Sequence, residues 1–471
     1  MDGRDALTLV PGKTTFGPVR QEKRSLMDEG MLEANAATPE ALLNKLQVRR
    51  ACIGVVGLGY VGLPLARGFH EAGFSVTGFD TDPEKPPLLA AGHSYIMDVA
   101  DGEVAAMAAS GRFEATDDFA RLGKADVIAI CVPTPLGPDR EPDLRFVEAS
   151  ARAVAETLRP GQLVILESTT WPGTTDEVVK PILEEGGLRS GRDFFLAYAP
   201  ERESPGSGER RIPRVVGADG PEALALARAL YEAVSPAVHA VSSPAAAEAA
   251  KLTENVFRAV NIALVNELKS IYAGMDVDIW EVVEAASTKP FGYMPFYPGP
   301  GWGGHCIPID PFYLAWKARS VGLPSRFIEL AGEINAEMPE RVVARLADAL
   351  APAALAGSRI LLVGVAYKKN IDDTRESPAL RLWDLLAARG AEVAYYDPHV
   401  LAIPATRAHP ELAGTRCIDW SREALAGFDA ALAVTDHDAV DWEALATAVP
   451  LVVDTRNVYD ERPRPARIVK A

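Results

Sequence analysis

The hydrophobic residues of the chain fall into short runs that alternate with longer amphipathic stretches. Between residues 51 and 200 the apolar runs lie in ACIGVVGLG, FSVTGFD, ADVIAICVP, GQLVILES and DFFLAYAPE. Most of the stretches between them, such as PDLRFVEASARAVAETLR, have the spacing of an amphipathic helix. The alternation returns from residue 358 with SRILLVGVAY, AEVAYYDP and LVVDTRN. Strands that alternate with helices are typical of a parallel, doubly wound sheet, so the pattern predicts two such units.

A helical region separates the two units. Residues 244–273 are rich in alanine and leucine and contain no internal proline or glycine, which predicts one long helix. A shorter helix is expected at residues 278–286, and the Gly- and Pro-rich segment FYPGPGWGGHCIPIDP predicts a structured loop. The predicted fold is therefore α/β, with two Rossmann-like doubly wound parallel-sheet domains joined by a central helical domain with a long helix.

The same patterns give domain boundaries. We expect a partly disordered N-terminal extension at residues 1–48, with a short helix near residues 40–46, and a first Rossmann domain at 49–240. The central helical domain is expected at 241–350 and the second Rossmann-like domain at 351–471. The length of 471 residues agrees with about three compact units after the extension.

Charge and cysteine content narrow the class of protein. The net charge of −17 argues against a nucleic-acid partner, because the phosphates of a nucleic acid would be repelled. Four cysteines are too few for a disulfide framework, which favours reduced thiols and a cytoplasmic location. The chain has no run of 18 apolar residues, so no membrane span is expected.

A glycine-rich loop follows the first predicted strand. The positions that fit G-x-G-x-x-G, or stand between its glycines, are Gly57, Gly59, Tyr60, Val61 and Gly62. Asp80 ends the next predicted strand, at the distance at which a carboxylate meets an adenosine ribose in dinucleotide-binding domains. Because a carboxylate there disfavours a 2′-phosphate, the loop predicts NAD rather than NADP as the cofactor. The alternative is a glycine turn without a ligand.

The second unit has the same outline but a different first loop. Its residues 364–370 read GVAYKKN, without the glycine triplet that lets a pyrophosphate approach the backbone. Lys368 and Lys369 stand there instead, and Arg375 follows, which suits a phosphate held by side chains. This unit is therefore expected to bind a second, nucleotide-like ligand, unless the two lysines are only solvated surface charge.

Two further features indicate a reactive site. Lys251, Asn255 and Arg258 fall at i, i+4 and i+7 of the long helix, so they share one face of a mostly apolar helix. This stripe predicts a site wall, unless it only pairs with neighbouring acids. In the glycine-rich loop, Cys306 precedes Asp310 by four residues, and a nearby cation such as Lys251 would favour its thiolate.

The loop is too rich in glycine for an ordinary core, so we favour a nucleophilic role for Cys306 over a buried structural cysteine. The other three cysteines are expected to be plain core or surface residues, because they lie in or near strand-like apolar runs: Cys52, Cys131 and Cys417.

With these motifs in place, the chain resembles the UDP-glucose/GDP-mannose dehydrogenase family from about residue 51 to 457. The motifs that carry the resemblance are GLGYVGLP, CVPTP, ESTTWPGTT, APERESPG, KLTENVFRAVNIALVNE, GPGWGGHCIPIDP, VAYKKNIDDTRESPA and DTRN. The resemblance implies an NAD-binding domain, a central helical dimerisation region and a UDP-binding domain. It also implies a four-electron oxidation of a UDP-sugar by two NAD⁺ in turn, in a homodimer or a higher oligomer.

The resemblance also assigns roles to residues. Cys306 would attack the C6 aldehyde, Lys251 and Asp310 would polarise the reacting oxygen, and Asn255 would help form an oxyanion site. Glu201 would be the general base for thioester hydrolysis. Thr170 would position water or the nicotinamide. Further cofactor contacts would come from Thr134 and Arg375. Substrate contacts would come from Arg258, Tyr297, Gly299, Gly303, Lys368 and Arg456. No metal is implied.

Within this family, the His before Cys306 and the sequence around Arg258 resemble the N-acetylhexosamine branch. UDP-N-acetylglucosamine is the favoured substrate, and UDP-glucose or UDP-N-acetylgalactosamine are the alternatives. Phe296 and Tyr297 stand where the UDP-glucose branch has an Arg and a Lys, so recognition by a neighbouring subunit's arginine is not expected. The implied role is to make aminouronic acid precursors for a surface polysaccharide. A single-step hydroxyacid dehydrogenase and a non-catalytic sensor of NAD or UDP-sugar are the rival interpretations.

Overall fold

The computed structural model describes residues 38–137, 140–202, 212–406, 408–460 and 462–471. Most of the predicted N-terminal extension, residues 1–37, lies outside these ranges. Its last part forms helix α1 (Pro39–Gln47), which begins where the Thr38 hydroxyl accepts a hydrogen bond from the Ala41 amide at 3.3 Å. Leu42 and Leu46 of this helix are buried in the core of the first domain, so the helix packs as part of that domain.

The first domain is built on an eight-stranded sheet with the strand order β3-β2-β1-β4-β5-β6-β7-β8. Its strands are β1 (Cys52–Val56), β2 (Ser75–Phe79), β3 (Phe113–Thr116), β4 (Val127–Ile130), β5 (Leu163–Leu166), β6 (Phe195–Tyr198), β7 (Arg214–Ala218) and β8 (Val238–Ala240). Neighbours from β3 to β6 are parallel, whereas β7 runs antiparallel to β6. All residues of the central strands β4, β5 and β6 are buried, as expected for a sheet covered on both faces.

Helices cover both faces of this sheet. They are α2 (Gly62–Glu71), α3 (Lys85–Ala90), α4 (Asp101–Ala109), α5 (Arg145–Thr157), α6 (Lys180–Glu184) and α7 (Pro221–Tyr231). A 3₁₀ helix (Phe119–Lys124) precedes β4, and one π-helical turn (Thr175–Val179) leads into α6.

The central domain is helical. The predicted long helix is confirmed as α8 (Pro244–Ala273), which begins where the Ser243 hydroxyl accepts from the Ala246 amide at 3.2 Å. The other central helices are α9 (Ile279–Ser287), α10 (Asp310–Ser320) and α11 (Arg326–Leu350). Helix α11 packs along α8, and the Gly- and Pro-rich loop runs between α9 and α10. None of the helices among the described residues combines the length and the apolar character needed to cross a membrane.

The last domain is a five-stranded, wholly parallel sheet with the order β10-β9-β11-β12-β13. Its strands are β9 (Arg359–Val363), β10 (Glu392–Tyr396), β11 (Ala430–Ala433), β12 (Leu451–Asp454) and β13 (Arg467–Lys470). Its helices are α12 (Pro378–Ala388), a 3₁₀ turn (Pro410–Leu412), α13 (Arg422–Leu425) and α14 (Trp442–Ala448). The two predicted α/β domains and the helical region between them are therefore present.

The chemistry-bearing residues follow the carboxyl ends of strands. In the first sheet, Gly57 follows β1, Cys131 follows β4 and Glu167 follows β5. In the second, Gly364 follows β9 and Arg456 stands two residues after β12. Ligands of open α/β sheets bind outside the carboxyl ends of the strands, so a ligand site is expected at these two edges and at the helices between them.

Candidate active site

The first glycine loop has room for a pyrophosphate at one position and none at the others. A Cβ on Gly57, whose φ is +88°, would lie 2.6 Å from the carbonyl oxygen of Cys131, and a Cβ on Gly62 would lie 1.7 Å from that of Gly57. A Cβ on Gly59 would meet nothing within 4 Å, so the backbone there borders open space. The first and third glycines are thus needed for the turn and for packing, and the second leaves a ligand access to the backbone.

Asp80 is held in an ionised state at the end of β2. Its carboxylate accepts hydrogen bonds from the Leu58 amide at 2.8 Å, the Asp82 amide at 3.0 Å and Lys85 Nζ at 2.8 Å. Burial alone would raise the pKa of Asp80, but these bonds outweigh it and lower the pKa. A negatively charged hydrogen-bond acceptor therefore stands at the position that the sequence predicts for the ribose.

The corresponding aspartate of the second domain is used differently. Asp397 is fully buried, and its Oδ2 accepts from the amides of Val365 and Ala366 at 2.8 and 3.0 Å. His437 Nε2 lies 3.1 Å from the same oxygen, and Oδ1 accepts from the His399 amide at 2.8 Å. Both aspartates thus accept a hydrogen bond from an amide of the loop above them, and Asp397 differs in being fully buried and in having His437 beside it.

The Gly- and Pro-rich loop that carries Cys306, residues 296–311 and called the cysteine loop below, packs directly against the second sheet domain. The Gly304 amide donates to the carbonyl of Arg375 at 3.0 Å, and a Cβ on Gly303 would lie 2.7 Å from that of Tyr367. The amide of Asp310 donates to the carbonyl of Cys306 at 2.8 Å, which closes the turn into α10. The glycines are required because the loop lies against the Tyr367 side chain.

The polar stripe of α8 meets the beginning of α10. Asn255 Nδ2 donates a short hydrogen bond to Asp310 Oδ2, and Arg258 Nη2 donates a short one to Asn255 Oδ1. Asp310 is 2% exposed, and Lys251, one turn before Asn255, is 5% exposed. Lys251, Asn255 and Asp310, which stands four residues after Cys306, are therefore buried together, and the exposed Arg258 binds Asn255 at their edge.

The electrostatics at Cys306 only partly follow the sequence prediction. The side chain is open to solvent but lies in a crowded cleft. Burial and the charge of Asp310 raise the pKa of the thiol to about 11, and Lys251, Arg258 and Arg375 lower it by less. The cations thus act in the predicted direction, but desolvation outweighs them, and the thiol is protonated at neutral pH.

Asp310 itself is close to half-protonated at neutrality. Burial raises its pKa to about 7, against the opposing effects of Lys251, the hydrogen bond from Asn255 and Arg258. A carboxyl group with such a pKa can both take up and release a proton near pH 7.

Two threonines of the first domain are buried where its strands end. Thr170 is fully buried, and its Oγ1 has no hydrogen-bond partner among the described residues. Thr134 is 3% exposed and is hydrogen-bonded to the Tyr313 hydroxyl of α10. A buried hydroxyl without a partner is uncommon in proteins, so Thr170 is suited to bonding a ligand or a water.

Glu201 belongs to a second polar cluster. Its Oε2 accepts from Arg214 Nη2 at 3.1 Å, and Arg214 also binds Glu167. Burial and then the charges of Glu248, Asp310 and Glu167 raise the pKa of the Tyr198 hydroxyl, so this tyrosine lies near both Glu167 and Asp310. Glu201 thus belongs to a cluster with Arg214 and Glu167, and Tyr198 lies near both this cluster and Asp310.

The second sheet domain contributes cations. Burial lowers the pKa of Lys368, Asp98 of the first domain raises it, and Arg258 of α8 lowers it, so Lys368 lies close to charged groups of both other domains. Arg375 donates two bonds to Asp373, at 3.0 and 2.7 Å, and its guanidinium carbon lies 4.4 Å from the ring centroid of Tyr60. Arg375 therefore contacts the glycine loop of the first domain.

The remaining predicted substrate residues lie at the other end of the loop. The Gly299 amide donates to Asn266 Oδ1 of α8 at 3.0 Å, and a Cβ on Gly299 would lie 2.7 Å from Arg456 Nη1. Tyr297 is half-exposed and its ring stacks on Trp280 of α9 at 5.4 Å. The structure thus places Arg456 and Gly299 together, and Tyr297 against a neighbouring helix.

Three charged residues near the site were not identified from the sequence. Glu167 and Arg214 are buried beside Glu201. Lys269 of α8 has an Nζ without a hydrogen-bond partner in the described part of the chain, and burial and Arg456 lower its pKa to about 8. Glu167 lies inside the motif ESTTWPGTT, and Lys269 follows Asn266 at helical spacing. Neither position in the sequence predicts that the side chain is buried.

One group of possible metal ligands occurs among the described residues, and it shares no residue with the predicted site. The ligand atoms of Asp384, His409 and Glu411 lie within 4.8 Å of one another on the second sheet domain.

The electrostatics of the thiol generate a prediction about its reactivity. In Asp310→Asn the loss of a negative charge should lower the pKa of Cys306, so alkylation by iodoacetamide at pH 8 should become several-fold faster. Lys251→Met removes a cation and should slow it. Site-resolved mass spectrometry measures both rates, with the exposed Cys52 as internal reference. Slower labelling in Asp310→Asn would contradict this account of the site.

Comparison with known proteins agrees with this geometry. Profiles of the UDP-glucose/GDP-mannose dehydrogenase family match its NAD binding domain at residues 51–235, its central domain at 245–337 and its UDP binding domain at 361–461. A UDP-N-acetyl-D-mannosamine dehydrogenase of Pyrococcus horikoshii is 36% identical over 87% of this chain and 96% of its own length. A UDP-N-acetyl-D-glucosamine 6-dehydrogenase of Pseudomonas aeruginosa is 38% identical over 74% of this chain and 83% of its own.

A solved structure of UDP-D-ManNAc dehydrogenase from Pyrococcus horikoshii superposes with a TM-score of 0.80 at 34% identity, covering 89% of this chain and 98% of that one. The three domains, their order and the NAD-type glycine loop therefore have one explanation. The chain belongs to the UDP-glucose/GDP-mannose dehydrogenase family and is an NAD-dependent UDP-sugar dehydrogenase.

Proposed function

We propose that this enzyme oxidises the C6 hydroxymethyl group of a UDP-N-acetylhexosamine to a carboxylate, with UDP-N-acetylglucosamine as the favoured sugar. The observation that carries the proposal is the position of Cys306. It lies on a loop packed against the UDP-binding domain, beside the Lys251–Asn255 stripe of α8 and within the field of Arg375, which contacts the NAD glycine loop. A thiol between the two ligand-binding domains is not needed for binding alone.

The proposed reaction is R–CH₂OH + 2 NAD⁺ + H₂O → R–COO⁻ + 2 NADH + 3 H⁺. NAD⁺, when bound, accepts a hydride from the C6 carbon in each of the two oxidations. For this cofactor we assign the turn of Gly57, Gly59, Tyr60, Val61 and Gly62 to the pyrophosphate. Asp80 is assigned to the ribose, and Thr134, Thr170 and Arg375 to the nicotinamide half.

The covalent step begins when the sulfur of Cys306 bonds to the C6 aldehyde carbon. The thiol is protonated at neutral pH, so its proton must leave as the C–S bond forms. Asp310, with a pKa of about 7, is placed to exchange protons with the reacting oxygen, and Lys251 and Asn255 are placed to polarise that oxygen. Loss of a hydride from the C6 carbon of this thiohemiacetal, with the hydroxyl proton passing to the Asp310 carboxylate, leaves a thioester.

Hydrolysis then releases the product. A water oxygen attacks the thioester carbonyl, its proton passes to Glu201, the C–S bond breaks and Cys306 leaves as a thiolate. Thr170, whose buried hydroxyl lacks a partner in the described structure, is assigned to positioning this water or the nicotinamide.

The proposed substrate site is cationic. Arg258, Lys368 and Arg456 are assigned to the diphosphate and the nucleotide, and they supply the local positive charge that a protein of net charge −17 needs in order to bind a UDP-sugar. Gly299, Gly303 and Tyr297 are assigned to backbone and ring contacts along the loop.

The choice of sugar rests on the relatives. The relative named for UDP-N-acetyl-D-glucosamine is 38% identical, whereas the relative named for UDP-N-acetyl-D-mannosamine is 36% identical but aligned over more of this chain. Both names carry an N-acetylhexosamine, so we propose that sugar class with UDP-N-acetylglucosamine first and UDP-N-acetylmannosamine second. The product is an aminouronic acid of the kind used for surface polysaccharides, and a cytoplasmic location would keep Cys306 reduced.

A homodimer is proposed on the exposed side of α8. Phe257, Leu264 and Ile271 recur every seven residues and are 47%, 48% and 45% exposed. A row of large apolar side chains on a long helix is suited to packing against the same helix of a second copy.

The reaction scheme predicts two NADH for each sugar consumed. The measurement is NADH absorbance against carboxylate product under limiting UDP-sugar. Cys306→Ala should still bind UDP-sugar but should form less than about one hundredth of the carboxylate, because no thioester can form. A ratio of one NADH per sugar, or full turnover in Cys306→Ala, would disprove the thioester route.

The sugar proposal predicts an order of kcat/KM across four substrates. UDP-N-acetylglucosamine should exceed UDP-glucose by at least about tenfold, because a site built to bond the acetamido group is left with unpaired polar groups when it is missing. UDP-N-acetylgalactosamine and UDP-N-acetylmannosamine complete the panel. The highest value for UDP-glucose would contradict the N-acetylhexosamine assignment while leaving the chemistry intact.

The dimer proposal predicts that Leu264→Asp yields monomers, because an unpaired carboxylate would be buried at the interface. Light scattering after size-exclusion chromatography measures the mass. Leu401→Asp, on an exposed leucine of the second sheet domain, is the matched control and should leave the mass unchanged. An unchanged mass in Leu264→Asp would show that this face is not the interface.

A further inference from the structure

A buried arginine connects the carboxylate of Glu201 to a second carboxylate that the proposed reaction does not use. Arg214, the first residue of β7, is 7% exposed. Its Nη2 donates to Glu201 Oε2 at 3.1 Å, and its Nη1 donates to Glu167 Oε2 at 3.2 Å. The guanidinium also donates to the carbonyl of Pro200 at 3.1 Å and lies 5.1 Å from the ring centroid of Tyr231. One cation is thus shared between two carboxylates.

Glu167 is an unusual residue to find in this position. It follows β5 and is 1% exposed, and its other oxygen accepts a short hydrogen bond from the Tyr231 hydroxyl. Burial raises its pKa to about 7; Arg214 opposes this shift and the charge of Glu201 adds to it. A carboxyl group that changes charge near neutral pH therefore stands one guanidinium away from Glu201.

The cluster lies at the edge of the sheet that faces the proposed chemistry. Cys131, Glu167 and Glu201 come after the neighbouring strands β4, β5 and β6, and the charges of Glu167 and Glu201, after burial, raise the pKa of Cys131. From the helical side, Arg202 binds Glu254 of α8, one turn after Lys251. Ionisable groups around the Glu201–Arg214 pair therefore include Glu167, Cys131, Tyr231 and the Arg202–Glu254 pair.

We propose that Arg214 is the positioning residue for the hydrolytic base Glu201. Glu167 competes with Glu201 for the guanidinium of Arg214 and thereby sets the acid midpoint, which is the pH below which thioester hydrolysis slows. The inference rests on the proposed role of Glu201 and extends it to two residues to which no role has been assigned.

Reciprocity of charge interactions gives the direction of each effect. Arg214 repels a proton from Glu201 and fixes one of its oxygens, so it keeps the base ionised and oriented. Ionised Glu167 favours protonation of Glu201, because like charges resist sharing one buried site. When Glu201 takes the proton of the attacking water, Arg214 keeps Glu167 as partner, so no unpaired guanidinium is left buried.

The experiment measures two quantities as a function of pH. The first is the rate of decay of the Cys306 thioester, followed by rapid quench and intact-protein mass spectrometry, and the second is kcat. Glu167→Gln keeps the shape of the side chain but loses its charge, so the acid midpoint should move down by roughly half to one pH unit. Arg214→Lys loses the fork that bonds both carboxylates, so the midpoint should move up by about one unit and the thioester should accumulate at pH 7.

Glu248→Gln is the matched control. Glu248 is equally buried, and burial raises its pKa to about 7. Its carboxylate accepts from the amides of Gly173 and Thr175, and the neighbouring charge that shifts its pKa is that of Asp176. Its acid midpoint should equal that of the unchanged enzyme. A midpoint that moves as far in Glu248→Gln as in Glu167→Gln would assign the effect to general packing and overturn the proposal.

Other outcomes separate this inference from the proposed function. Opposite shifts in Glu167→Gln and Arg214→Lys support it, and no shift in Glu167→Gln overturns it even if Arg214→Lys does not fold. Glu201→Gln should trap the thioester. If no thioester forms in any variant, the proposed covalent route fails; if it forms but decays normally in Glu201→Gln, the base is another group and Arg214 does not position it.

Discussion

The need to pair buried polar groups on α8 holds this enzyme's site together. The helix is mostly apolar on its inner side, yet Glu248, Asn255 and Asn266 are fully buried on it. Each has its partner on a different element: Glu248 accepts from the Gly173 amide at 2.5 Å, Asn255 donates to Asp310, and Asn266 accepts from the Gly299 amide at 3.0 Å. An unpaired buried polar group costs about 1–3 kcal/mol. The helix therefore fixes the NAD-domain loop around Gly173 and both ends of the cysteine loop at once. A single rigid element thereby sets the distance between the two ligand-binding domains.

The two sheet domains show how one fold serves two ligands. Both have an aspartate at the end of the second strand of the βαβ unit, Asp80 and Asp397. Each is bonded to the loop above it, Asp80 to the Leu58 amide and Asp397 to the amides of Val365 and Ala366, but the first loop leaves open space at Gly59. The loop that Asp397 supports carries Lys368, whose pKa responds to Asp98 of the first domain and to Arg258 of α8 as well as to burial. The carboxylate at this position therefore stabilises a loop in both domains, and the first domain differs in that its loop leaves open space beside the backbone of Gly59.

Helix caps and the spacing of apolar residues predicted many of the helices and strands from the sequence. The contacts between distant residues, which build the site, could not be predicted in this way. Helix α8 could be bounded because Ser243 caps it and no proline or glycine interrupts it, and Asp310 could be placed because it follows Cys306 by one turn. Strand β7 was not predicted, and it runs against its neighbour β6. That reversal brings Arg214 to Glu167, which is 47 residues away in the chain, and no periodicity reports such a pairing. Lys251 was correctly predicted to favour the thiolate, but the pKa of Cys306 was not, because desolvation depends on all the atoms that surround the sulfur.

The pKa values around the loop constrain how the proposed chemistry must proceed. With the thiol pKa at about 11, fewer than about one in a thousand Cys306 side chains would be ionised at pH 7, so attack by a standing thiolate is a minor path in the ligand-free site. Asp310, with a pKa of about 7, is half-ionised there and can exchange the proton that leaves as sulfur bonds to carbon. The cations do not have to ionise the thiol in advance; they have to stabilise the oxygen on which negative charge develops, and Lys251 lies in the same buried group as Asp310. A raised thiol pKa is therefore compatible with nucleophilic catalysis, and it also limits oxidation of an exposed sulfur between turnovers.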